Sequence, residues 1–146
     1  MPSIDISYEF DAPAADVWAF LQDFGNIRAW WPAGGPVDIE RVEIVGNGIG
    51  MVRNIYNKGI PGCTSERLDF IDADSKTLKL SIINDMPSGL ITYQATGVVE
   101  DCADIRCRLV YHGDYEVEQG REQEAQQFLH TVYQLMFSGL EQALAR

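Results

Sequence analysis

The chain has 146 residues, 46% of them hydrophobic and 23% charged, with a formal net charge of −11. That acidity argues against a nucleic-acid partner, because phosphate affinity comes from Lys and Arg. No apolar run reaches the roughly 20 residues that span a bilayer, so membrane insertion is not expected.

Residues 1–146 read as a single domain, with no repeat, low-complexity tract or linker. The N-terminus lacks the basic and apolar regions of a signal peptide. Three cysteines without zinc-site spacing fit reduced thiols in the cytoplasm, with no metal and no cofactor.

In chain order, Ile4 to Phe10 alternates apolar and polar residues and predicts a half-buried strand with Ile4, Ile6, Tyr8 and Phe10 on one face. A short helix follows, with Pro13 in its first turn and Asp11 as the expected N-cap acceptor. Val17, Leu21 and Phe24 fall at i, i+4 and i+7 and share its buried stripe. Gly25-Asn26 ends this helix, and the aromatic loop Trp30-Trp31-Pro32 comes next.

Strands are expected over 37–45, 51–56, 64–71, 77–83, 91–100 and 105–116, joined by short turns as in an antiparallel meander. From Arg121 to Ala145 the composition is helical. Phe128, Val132, Leu135, Gly139 and Leu140 lie near one stripe, which Leu129, Tyr133, Met136 and Leu144 widen. The fold class is α+β: a strongly curved antiparallel sheet of about seven strands around a long C-terminal helix.

Alternation assigns the faces. If the turn between the third and fourth strands is symmetric, Arg53 lies opposite Glu66, Met51 opposite Leu68, and Ile55 opposite Thr64. Two opposite charges then meet on the apolar face. They read either as an ion pair of no chemical role or as a polar anchor inside a greasy cavity. The remaining wall candidates by parity are Leu78, Leu80, Ile82, Ile91, Tyr93, Ala95, Cys107, Leu109 and Tyr111 on strands, and Phe128, Val132, Tyr133 and Met136 on the last helix. Glu66, Leu68 and Phe70 share a face. The small Ala95 and Gly97 leave room for a ligand or fit a bend of the sheet. Trp30 and Trp31 either pack as core or form a lip.

No nucleophile elbow, zinc-binding His-Glu-x-x-His or phosphate-cradling loop is present. Arg53, Glu66 and Tyr93 are the candidates for a catalytic role, Glu66 as a base and Arg53 stabilising an enolate oxygen.

The segment from Asp11 to Pro32 resembles the N-terminal signature of the START / birch-pollen-allergen (SRPBCC) superfamily, closest to its polyketide cyclase/dehydrase and lipid transport branch. Gly50-Met-Val-Arg53, Glu66-Arg-Leu68 with Asp72, Pro87 before Tyr93-Gln-Ala95, and the long last helix extend the likeness over nearly the whole chain. The resemblance implies a helix-grip fold with two short helices after the first strand. It also implies an internal cavity for a hydrophobic or aromatic small molecule, in a monomer or homodimer. Some members of that superfamily cyclise or dehydrate polyketides, others carry or sense ligands, and some stress-response members bind partner proteins.

Overall fold

The structure, a computed structural model, describes residues 2–103 and 105–146. Seven strands form one antiparallel sheet: β1 (Ser3–Phe10), β2 (Ile39–Val45), β3 (Val52–Asn57), β4 (Thr64–Asp72), β5 (Thr77–Ile82), β6 (Leu90–Asp101) and β7 (Cys107–Val117). Helix α1 (Ala14–Gln22) and a 3₁₀ segment (Phe24–Ala29) follow β1, and helix α2 (Glu122–Leu144) closes the chain. The order across the sheet is β1-β7-β6-β5-β4-β3-β2. Strands β2 to β7 therefore form a meander, and β1 adds to its far edge beside β7. This is the helix-grip fold. Among the described residues, no helix is long and apolar enough to cross a membrane.

The helix α2 turns a fully buried line of Ala125, Leu129, Tyr133, Met136, Phe137, Leu140 and Ala143 toward the sheet. Phe128, Val132 and Leu135 are half-buried on its flank rather than at its centre. Its far end is fixed to β1, where Tyr8 stacks on Phe137 at 5.4 Å and donates to Glu141 at 2.7 Å. Gly139 lets the helix touch the aromatic loop, because a Cβ there would overlap the Trp30 carbonyl and Pro32.

Val17, Leu21 and Phe24 are all buried under this core. Asp11 does not cap α1: it accepts from Arg106 at 3.2 Å, and Pro13 occupies the N-cap without a side-chain cap bond. Phe70 also departs from simple alternation. A register shift between Leu68 and Phe70 turns Phe70 outward to 41% exposure, beside Lys79. One extra residue in a strand reverses the parity of all that follows.

Candidate functional site

A cavity of about 120 Å³ lies between the concave face of the sheet, the α1–3₁₀ segment and α2. Its walls are mainly apolar. Leu21, Ile27 and Trp30 come from the first connection, Ile55, Leu78, Leu80 and Ile82 from the strands, and Phe128, Leu129, Val132 and Met136 from α2. Trp31, Val37 and Pro87 come from loops and remain half-buried.

The β3–β4 register places Arg53 opposite Glu66 and Ile55 opposite Thr64. Arg53 is 7% exposed. Its Nε donates to Glu66 Oε1 at 2.7 Å, and its Nη2 lies 2.7 Å from the same oxygen. Its Nη1 donates to the Phe24 carbonyl at 2.9 Å, and the guanidinium sits 4.0 Å from the centre of the Phe24 ring. Phe24 begins the 3₁₀ segment, so one side chain neutralises Glu66 and ties the helical connection to the sheet. A buried charge is tolerable only with such a set of partners.

A second polar group is built from three tyrosines. Tyr93 on β6 and Tyr133 on α2 share a hydrogen bond of 2.5 Å between their hydroxyls. Tyr111 on β7 packs edge-on to Tyr133, with ring centres 4.8 Å apart. Burial raises the pKa of all three phenols above the ordinary value, so they remain neutral. Glycines make their space. A Cβ at Gly113 would collide with the Tyr133 hydroxyl, and one at Gly97 would lie 3.0 Å from the Tyr111 ring. The room left by small residues on β6 and β7 is thus filled by tyrosine, not left for a ligand.

Among the expected wall residues, Trp30, Trp31, Arg53, Ile55, Glu66, Leu80, Ile82, Tyr93, Tyr111, Phe128, Val132, Tyr133 and Met136 border the cavity. Leu68, Ala95, Cys107 and Leu109 do not: they are buried in the core beside it, and Ile91 is 53% exposed at the register irregularity between Leu90 and Thr92. Parity fixes the face a residue takes, not how far along the strand the hollow extends. The candidates Arg53, Glu66 and Tyr93 do not present three free groups to one point, because Arg53 is paired with Glu66 and Tyr93 with Tyr133. The loop tryptophans divide the two roles expected of them. Trp30 is buried, whereas Trp31 is half-buried and donates from Nε1 to the Val37 carbonyl at 2.8 Å, closing the loop over the cavity.

Several bordering residues were not expected. Asn57 continues the parity of Arg53 and Ile55, yet it resembles a turn residue at the start of the 57–62 loop. Thr64 was placed opposite Ile55 but not assigned to the wall. Asn57 Oδ1 is buried and has no hydrogen-bond partner among the described residues. Among the described residues, no group of three or more His, Cys, Asp or Glu side chains is arranged to hold a metal ion.

Comparison with solved structures places this fold among proteins of low sequence identity. An uncharacterised protein from Bacillus thuringiensis superposes with a TM-score of 0.83 at 20% identity, covering 99% of this chain and 100% of that one. Norcoclaurine synthase from Thalictrum flavum, in complex with dopamine and hydroxybenzaldehyde, gives 0.79 at 18% identity, covering 99% and 86%. The di-domain ARO/CYC protein BexL from the BE-7585A biosynthetic pathway gives 0.82 at 16% identity, covering 99% of this chain and 47% of that one. No curated protein matches the sequence. The family model for polyketide cyclase / dehydrase and lipid transport matches residues 1–145, and the chain belongs to that family.

Proposed function

We propose that this protein binds a hydrophobic or aromatic small molecule in the cavity between the sheet and α2. The observation that carries the reading is the chemistry of the walls: apolar side chains from strands and helical segments alike, with the buried cation already neutralised by Glu66 and two of the three tyrosine hydroxyls satisfied by each other. Such a site holds a ligand by burial of apolar surface and orients it with few polar groups. Family membership supports the reading, and norcoclaurine synthase shows small aromatic molecules bound within the same fold.

Conversion of the ligand is a second reading, favoured by one observation. Glu66 gives one oxygen to Arg53, while its other oxygen has no partner among the described residues. A carboxylate oxygen free at a cavity wall is the equipment of a general base. The three unpaired thiols agree with a reducing compartment such as the cytoplasm.

Native mass spectrometry of the purified wild type and Leu80→Trp tests the binding reading. Leu80 is buried on the cavity wall, so the larger ring fills the hollow. A small molecule should co-purify with the wild type, or be taken up from an added mixture of aromatic compounds, and be lost from the variant. Equal retention by a folded Leu80→Trp would refute it.

A further inference from the structure

The polar atoms left without partners specify the ligand more closely. Resting on the binding reading above, we infer that the cavity takes a neutral, single-ring aromatic molecule that carries a hydrogen-bond donor, a phenol in its simplest form, and rejects carboxylates of the same shape.

Size is the first constraint. The cavity of about 120 Å³ is close to the ~150 Å³ of an apolar protein cavity that accepts benzene. A hollow of that order holds one ring, and a fused polycycle requires its walls to move.

The second constraint is charge. Arg53 is the one cationic side chain bordering the cavity among the described residues. Each of its three nitrogens already has an acceptor, and its charge is balanced by Glu66. A ligand carboxylate would enter beside the Glu66 carboxylate with no free cation to receive it. Anionic ligands are therefore penalised by repulsion and desolvation together.

The third constraint is the surplus of acceptors. Asn57 Oδ1 is buried and unpartnered among the described residues. The second oxygen of Glu66 also accepts nothing from the described residues. Asn57 and Glu66 stand on neighbouring strands and on the same face, since Asn57 shares the parity of Arg53, which pairs with Glu66. An orphaned buried acceptor is costly unless something supplies a donor. A phenolic O–H supplies one, whereas a methyl group of the same size does not.

Calorimetric titration of the protein with a matched set of probes tests this: 4-methylphenol, 1,4-dimethylbenzene, 4-methylbenzoate and 1-naphthol. The phenol should bind about tenfold or more tightly than the dimethylbenzene, the value of one hydrogen bond to a charged or buried acceptor. The benzoate should show no binding. Asn57→Leu, which removes the orphaned acceptor while keeping the side chain's size, should reduce the preference for phenol over dimethylbenzene several-fold. Dimethylbenzene or benzoate binding as tightly as the phenol would overturn the inference while leaving the cavity a binding site. Tight binding of 1-naphthol with none of the single-ring probes would do the same. Failure of all four to bind would overturn both the inference and the reading it rests on.

Discussion

Removal of the Glu66 side chain should destabilise the protein far more than loss of an ordinary ion pair. In Glu66→Ala, Arg53 keeps its bond to the Phe24 carbonyl and its contact with the Phe24 ring, but loses both 2.7 Å contacts and its counter-charge. Arg53 is 7% exposed, so water cannot replace what is lost. Breaking one side of a buried pair costs about 3–5 kcal/mol. That is a large share of the ~5–15 kcal/mol that holds a typical domain together. In urea it corresponds to a midpoint lower by roughly 2 M, given a slope of about 2 kcal/mol per M. Glu66→Gln keeps an acceptor and should lose about half as much. The double variant Arg53→Met with Glu66→Leu removes both charges and should recover all but about 1–3 kcal/mol, the cost of the Phe24 carbonyl left without its donor. A cost below ~1 kcal/mol for Glu66→Ala would mark the pair as solvated and refute this reasoning.

Other consequences follow from the packing and the charges. Gly139→Ala should lower stability by about 1–3 kcal/mol in thermal or urea unfolding, because the new methyl meets the Trp30 carbonyl and Pro32, outweighing the gain in helix propensity; a more stable variant would contradict the contact. The imidazole of His112 bridges Asp5 and Asp114 at 2.6 and 2.9 Å, and those hydrogen bonds raise its pKa above the usual 6.5. A raised folded-state pKa stabilises the protein fully below about 6.5, and this contribution is lost as pH rises through the folded value. His112→Gln should flatten that part of the stability-versus-pH curve as pH rises above about 6.5, and an unchanged curve would contradict it. Burial pushes the Cys107 thiol up to about 11, while Cys63 and Cys102 are only half-buried. A thiol reagent at pH 8 should therefore modify Cys63 and Cys102 in the native protein and reach Cys107 only after unfolding.

Much of this arrangement was legible in the residues. A symmetric turn through Asn57–Gly62 is enough to oppose Arg53 and Glu66, and the observed register does so. Alternation likewise brings Ile55, Leu80, Tyr93 and Tyr111 to one face, because side-chain direction along a regular strand is set by the pleat. Alternation fails where the strand is irregular: the shift between Leu68 and Phe70 turns Phe70 to solvent, and nothing in the local composition announces it. The extent of the hollow was not legible either. Leu68, Ala95 and Leu109 sit on the correct face but are covered by packing. Whether Gly97 and Gly113 leave a void or admit a ring depends on Tyr111 and Tyr133, one from β7 and one from α2, and no single-strand pattern encodes that encounter. Asn57 was hidden by its type, since asparagine before Lys58-Gly59 signals a turn.

The account stands or falls on whether a small aromatic molecule enters the space between sheet and helix. Methyl-resolved NMR during titration with 4-methylphenol measures this directly. The predicted result is a saturable shift concentrated on Ile27, Ile55, Leu80, Ile82, Leu129 and Val132, which border the cavity. Shifts confined to exposed Ile83, Ile91 and Ile105, with the cavity methyls unmoved at saturation, would contradict it.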